Sequence, residues 1–306
     1  MTATKAKRVL VLGASGMLGS AAVRVFGETA EVFAAVRSRQ ELESLGIDAK
    51  CLGVGEEHLL TGFDARQPES VLPLLDAAQA DVVFNATGII SQQADAANIR
   101  LMIEVNSVWP HALAQMCEDR SARLIHISTD CVFSGKRGNY RECDVPDASD
   151  MYGRSKLLGE VTTSACAITL RTSIIGWQFG PQVSLAGWFA AHRHEALKGY
   201  ANAVFSGLPT SALCQTIRDY VLPNECLTGL YQVSADPIDK YSLLCLLAEK
   251  MGWDVAITPD DSLRVDKSLD SSHFQAATGW KPPSWDYLLE DMATEYPRYY
   301  DKAEAL

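Results

Sequence analysis

The chain has 306 residues, with 27 basic against 38 acidic side chains and a formal net charge of −11. That length can bury a sizeable core, and the acidic balance argues against nucleic acid or an anionic membrane as partner, although local basic groups can still hold phosphates. Eight scattered cysteines form no C-x-x-C pair, which reads as free thiols with no metal site.

The basic start (Lys5, Lys7, Arg8) leads into an apolar run of only Val9 to Leu12 before glycine. That is too short for a signal-peptide core, and no run of about 18 apolar residues follows. A cytoplasmic location is the expectation. Residues 8–12 read as a buried strand ending in Gly13-Ala-Ser-Gly16-Met-Leu-Gly19, and residues 17–27 as the helix after it. In this G-x-x-G-x-x-G pattern Gly13 permits a tight turn. Gly16 lets backbone approach a pyrophosphate, and Gly19 lets helix and strand pack closely. Ser15, Met17 and Leu18 lie in the same turn, where unpaired helix N–H groups face phosphates.

A second strand at 31–36 ends in Arg37-Ser-Arg39, with no acidic residue where a ribose 2′-hydroxyl would be held. Arg37 suits a 2′-phosphate, because guanidinium pairs bidentately with phosphate oxygens. The cofactor expected is therefore NADPH, with NADH as the second option. Asp64 and the strand end Asn85-Ala86-Thr87-Gly88 are expected to flank adenine and ribose, or else to serve as turn and cap residues. Helical patterns follow at 68–80 and 99–120, around strands at 81–85 and 123–128.

The strand at 123–128 ends in Ser128-Thr129-Asp130, and a helical pattern over 150–165 carries Tyr152 and Lys156, four apart on one face. A phenol has an unperturbed pKa near 10, too high for proton transfer at neutral pH. An ammonium about 4 Å away contributes roughly 4 kcal/mol at an effective dielectric near 20, about three pKa units, with desolvation opposing part of it. Thr129 can hold a carbonyl oxygen while Tyr152 protonates it, and Lys156 can also hold the nicotinamide ribose. A strand at 168–172 completes an α/β series, the signature of a Rossmann-type doubly wound parallel sheet.

After residue 176 the character changes: five of the six tryptophans fall there. The organisation expected is a dinucleotide-binding domain over 1–175, rejoined by a strand near 229–234, and a smaller C-terminal substrate-binding domain mainly over 176–306. Trp177, Trp188 and Phe189 could stack on a base or sugar, or could be core. Lys198, Arg193 and Arg218 are candidates for a diphosphate, or solvated surface charges.

These residues resemble the extended short-chain dehydrogenase/reductase family, and within it the dTDP-4-dehydrorhamnose reductase branch. The match runs through the glycine turn, Asn106 in Glu-Val-Asn, residues 125–135, Tyr140-Arg-Glu142, residues 152–160 and Leu170-Arg-Thr-Ser173. The resemblance implies reduction of the C4 ketone of a nucleoside-diphosphate 4-keto-6-deoxyhexose in surface polysaccharide or deoxysugar biosynthesis. It also implies a catalytic set of Thr129, Tyr152 and Lys156, and a homodimer. Asn106 is expected at the cofactor, supporting the active-site helix or a water relay. Ser128, Asp130, Cys131, Val132, Ile174 and Trp177 are expected around the substrate. The branch usually has Tyr where Cys131 stands and Trp where Ile174 stands, so the sugar or nucleotide pocket should differ.

Three alternatives are set beside this reading. A dehydratase would carry Glu where Cys131 stands. An epimerase-reductase like GDP-fucose synthase would use Cys131 as a base with His192 or His194. A regulatory subunit would bind the cofactor without turnover. The loop Asp266-Lys-Ser-Leu-Asp-Ser-Ser272 resembles the segment that closes such sites.

Overall fold

The computed structural model describes residues 6–90 and 97–300. Lys5 of the basic start lies outside them. In chain order the strands are β1 (Arg8–Leu12), β2 (Glu31–Val36), β3 (Leu59–Thr61), β4 (Val82–Asn85), β5 (Arg123–Thr129), β6 (Ala167–Thr172), β7 (Ile174–Ile175), β8 (Leu197–Phe205), β9 (Leu208–Pro209), β10 (Gly229–Gln232), β11 (Ile238–Asp239) and β12 (Ile257–Asp266). The helices of the first part are α1 (Met17–Phe26), α2 (Arg39–Ser44), α3 (Ala49–Leu52), α4 (Leu72–Ala78), α5 (Ile99–Ile103), α6 (Trp109–Glu118) and α7 (Met151–Leu158). Those of the second are α8 (Leu185–Ala191), α9 (Thr210–Thr216), α10 (Lys240–Met251), α11 (Ser272–Thr278) and α12 (Trp285–Tyr300).

Seven strands form one parallel sheet in the order β10-β6-β5-β4-β1-β2-β3. The side chains of the five inner strands are almost all buried on both faces, as the continuous apolar runs require. The chain order reverses between β1 and β4, so the crevice beyond their carboxyl ends is where such folds take a ligand. Strand β10 adds to the sheet at β6, pairing Gly229 with Ile168 and Gln232 with Arg171. A second sheet, β11-β8-β12, and the short pair β7-β9 belong to the later part.

Two core layers sandwich the main sheet. One joins α1 to residues of the second part such as Phe189, Leu213, Leu247 and Phe274, so the later residues share the first part's core. The other packs Trp109 and Leu113 against β1, β2 and β4. Helix α7 stops at Leu158, well short of the expected residue 165. A Cβ at Gly159 would lie 1.9 Å from the Asn106 carbonyl oxygen, and Glu160 turns inward to meet Arg171. The edge strand β3, three residues long, had no periodicity to reveal it. Among the described residues no helix is long and apolar enough to cross a membrane, and no cluster of side chains could hold a metal.

Candidate active site

The glycine turn has the geometry its spacing demands. Gly13 has φ +78, and the Gly16 N–H donates to its carbonyl at 3.0 Å. A Cβ at Gly19 would come within 2.0 Å of that same oxygen, so only glycine lets α1 seat on the turn. Helix α1 starts at Gly16 with no side-chain cap, which leaves its first N–H groups facing the crevice. Across the crevice Asn85 holds the β4 loop: its Oδ1 accepts from the Thr87 N–H and hydroxyl at 3.2 and 2.5 Å. A Cβ at Gly13 would stand 3.1 Å from the Thr87 methyl, and one at Gly88 3.9 Å from the Lys156 Nζ. The turn, the Ala86-Thr87-Gly88 loop and the end of α7 thus converge.

Helix α7 is capped by Asp150, whose carboxylate accepts from the Gly153 N–H at 2.8 Å. A Cβ at Gly153 would lie 2.1 Å from the Cys131 carbonyl oxygen. Glycine after Tyr152 therefore brings α7 onto the end of β5. The Tyr152 phenol thereby comes beside the Thr129 hydroxyl, which acts to lower its pKa. Thr129 also donates to Asp130 at 3.1 Å and accepts from the Cys131 N–H at 3.1 Å. Lys156 is buried and donates to the Ile127 carbonyl at 2.7 Å. Burial pulls its ammonium down to about 8, with Glu160 opposing.

The electrostatics depart from the simple expectation for Tyr152. Burial, then the neighbouring Cys131, pushes the phenol up from its ordinary value. The charge needed to lower the phenol must overcome that desolvation.

Several expected contacts fall elsewhere. Ser128 donates to Glu160 at 2.7 Å inside a buried ion pair, so its hydroxyl is turned from the substrate side. Val132 is fully buried against Phe133, Tyr140 and Leu269. Trp177 is 2% exposed, donates to the Met292 carbonyl at 2.8 Å and packs edge-on against Tyr296. It is core, as is Phe189. Ile174 is partly buried against the same core. Trp188 stacks near His192, whose Nδ1 contacts the Trp188 carbonyl at 2.8 Å. Arg218 pairs with Glu28 and Asp219, as a surface charge does. Asn106 sits on a π-helical turn (Glu104–Val108) between α5 and α6. Its amide donates to the Ile89 carbonyl at 2.8 Å and the Ser155 hydroxyl at 3.1 Å, and accepts from the Ile89 N–H at 2.8 Å. With both donors used, it braces the β4 loop against α7 from behind rather than meeting a cofactor.

Cys131 is half-buried beside Asp130. Burial, then Asp130, pushes its thiol up to about 11; Lys267 and Thr129 oppose this. The Lys267 side chain comes from the loop after β12 and lies near enough to the Cys131 thiol for each to act on the other's charge. That loop is clamped over the site: Asp266 N–H donates to the Gly135 carbonyl at 2.7 Å, and Tyr140 N–H to the Ser268 carbonyl at 2.9 Å. Sequence motif marked the loop but not Lys267, because the pairing joins segments far apart in the chain.

At the end of β2 the structure corrects one expectation outright. Arg37 does not stand without an acid: its guanidinium pairs with Glu41 at 2.9 Å, and its N–H donates to the other Glu41 oxygen at 3.1 Å. The Ser15 hydroxyl donates to Glu41 at 3.0 Å. The missed signal was Ser38-Arg-Gln-Glu41, a capping-box spacing: Ser38 caps α2 by accepting from the Glu41 N–H, and Glu41 reaches back across the turn. Asp64 takes the guanidinium of Arg66 at 2.6 Å and the Arg66 N–H at 2.9 Å, its turn role.

The fold and these side chains define a doubly wound α/β protein with a Thr–Tyr–Lys cluster at the carboxyl edge of its sheet. Residues 7–185 match the family described as RmlD substrate binding domain, and the chain belongs to it. It is 34% identical to a probable low-salt glycan biosynthesis reductase of Haloferax volcanii, over 58% of this chain and 57% of that one. A dTDP-4-dehydrorhamnose reductase of Aggregatibacter actinomycetemcomitans is 24% identical over 93% of this chain and 98% of its own. Methionine adenosyltransferase 2 subunit beta of Danio rerio is 25% identical over 80% of this chain and 74% of its own. The crystal structure of dTDP-4-dehydrorhamnose reductase from Bacillus anthracis in complex with NADP superposes with TM-score 0.77 at 18% identity, covering 96% of this chain and 100% of that one.

Proposed function

We propose that the protein is an NADPH-dependent oxidoreductase that reduces the C4 ketone of a nucleoside-diphosphate 4-keto-6-deoxyhexose. The observation that carries this is the placement of Tyr152, at the start of α7, beside Thr129, at the end of β5, with Lys156 one turn further along. The residues present fit a dinucleotide: the left-handed Gly13, the uncapped start of α1 and the close approach at Gly88 form a cradle that side chains would fill. When bound, the nicotinamide supplies the hydride. Thr129 orients the substrate carbonyl oxygen, and Tyr152 donates the proton to it. Lys156 holds the ribose and stabilises the phenolate left on Tyr152.

In this reading residues 1–175, rejoined by the strand near 229–234, bind the dinucleotide, and 176–306 mainly cap and read the sugar. Cys131 and Asp130 line the sugar side, and the thiol's high pKa favours a neutral pocket residue over an epimerising base. The net charge of −11 argues against nucleic-acid or anionic-membrane partners, and local basic groups can still hold the diphosphate of a nucleotide-sugar. The family resemblance adds a homodimer acting in the cytoplasm.

The test is oxidation of NADPH against dTDP-, UDP- and GDP-linked 4-keto-6-deoxyhexoses, with products examined by NMR in deuterated water. Turnover of one member without deuterium at C3 or C5 is expected. Tyr152→Phe should lower turnover by about 10²–10⁴-fold while NADPH binding stays nearly intact; full activity in that variant would sink the assignment. Bound NADPH that no sugar nucleotide oxidises would move the protein to a regulatory role.

A further inference from the structure

On the face of the sheet that α6 covers, four side chains form a hydrogen-bonded row behind the β4 loop: Trp109, Thr87, Asn85 and His126. The Trp109 indole N–H donates to the Thr87 hydroxyl at 3.0 Å, and that hydroxyl donates to Asn85 Oδ1 at 2.5 Å. The Thr87 backbone N–H reaches the same oxygen at 3.2 Å. Asn85 Nδ2 then stands 3.1 Å from Nδ1 of His126, its register partner on β5.

The direction of every bond is fixed from one end. An indole N–H only donates, so the Thr87 hydroxyl accepts there and gives its own proton to Asn85. With two Thr87 donors on Oδ1, turning the Asn85 amide over would set donor against donor. Its Nδ2 therefore donates to His126 Nδ1, which must carry no proton. His126 is buried, and its Nε2 has no hydrogen-bond partner among the described residues. Burial first, then Lys156, then His111, push the imidazole well below its ordinary value. A neutral ring that accepts at Nδ1 has its single proton on Nε2.

This row bears on the site because Thr87 and Gly88 form the wall between the glycine turn and Lys156. The Thr87 methyl lies 3.1 Å from where a Gly13 Cβ would stand, and a Cβ on Gly88 would lie 3.9 Å from Lys156 Nζ. Asn106 holds the far end of that wall through Ile89. Asn85 holds the near end, and His126 sets which way the Asn85 amide faces.

We propose that His126 is a positioning residue: as the neutral Nε2–H tautomer it fixes the Asn85 amide, which in turn holds Thr87 and Gly88 in place as the wall of the dinucleotide cleft. The inference rests on the dinucleotide-binding reading above and adds a residue that touches neither cofactor nor substrate.

Long-range proton–nitrogen NMR of protein isotope-labelled at histidine reads the tautomer directly, with His126 assigned by the signals lost in His126→Asn. Between about pH 6 and pH 9 the proton is expected on Nε2 alone. A proton on Nδ1 within that range overturns the proposal, with no variant needing to fold. Titration with NADPH separates the acceptor from packing. His126→Asn keeps an acceptor near the Nδ1 position, whereas His126→Leu is closer to imidazole in size and offers none. Loss of one buried hydrogen bond should raise the NADPH dissociation constant about ten-fold in His126→Leu, while His126→Asn stays within about three-fold of the parent. Equal weakening in both variants, or none in His126→Leu, overturns the role of His126 while leaving dinucleotide binding in place. Failure of the unaltered protein to bind NADPH overturns the cofactor reading, and this inference with it.

Discussion

Tyr152 and Lys156 occupy adjacent turns of α7, yet burial moves them in opposite directions. The phenol is raised and the ammonium is lowered to about 8, because each is driven toward its neutral form. For Lys156 this has a stability consequence with a definite sign. Its folded value lies below the ordinary 10.5, so between pH 8 and 10.5 the unfolded chain holds a proton that the folded one lacks. Stability from this residue therefore rises with pH across that window, and the cost of burying the charge is felt in full below it. The melting temperature of Lys156→Met relative to the parent should accordingly shift in the parent's favour from pH 7 to pH 10. A difference that stays constant would place the titration elsewhere. The residue types and spacing of this pair were legible in the sequence; the direction of the phenol's shift was not, because it depends on what surrounds the ring.

At the scale of elements, β5, β6 and the end of α7 are tied by one buried ion pair. Arg171 donates from Nε and Nη2 to the two oxygens of Glu160, both at 2.7 Å, and Ser128 adds a third bond at 2.7 Å. The side chains are 3% and 4% exposed, and the guanidinium lies over the Phe133 ring. Removing one partner leaves an uncompensated buried charge, so Arg171→Met should cost about 3–5 kcal/mol in urea unfolding. Pairing it with Glu160→Gln should recover part of that loss; no recovery would show that packing on Phe133, not charge, is what the arginine supplies. The pair explains why α7 ends at Leu158. The apolar periodicity over 150–165 continued the helix on paper, and only the demand of a buried arginine on the neighbouring strand turned the chain inward.

For the molecule as a whole, the glycine turn and the Thr129–Tyr152–Lys156 cluster lie on separate segments joined across the top of the sheet, with Lys156 close to Gly88. A ligand that binds the folded form alone stabilises it by mass action, by about 2.7 kcal/mol at a hundred-fold excess over its dissociation constant. NADPH should thus raise the melting temperature by a few degrees, and Gly19→Ala should remove the effect. A Cβ there would sit 2.0 Å from the Gly13 carbonyl and displace α1 from the turn. An undiminished shift in that variant would put the dinucleotide somewhere other than the glycine turn.

What the sequence by itself determined was the local and periodic part. Buried parallel strands declare themselves as apolar runs, the glycine spacing follows from steric limits within one turn, and Tyr152 with Lys156 follows from helical repeat. Those features depend on residues within a few positions of one another, so the doubly wound sheet and the Tyr152–Lys156 pair could be read directly, and Thr129 was marked by its place at the end of a buried strand. The tertiary structure decided which polar groups meet across the chain. Ser128 turned to Glu160, Val132 and Trp177 went into the core, Lys267 arrived at Cys131, and Glu41 folded back onto Arg37 and Ser15. Each outcome is set by burial and by partners distant in sequence. A buried polar group must find whichever partner the packed fold brings near.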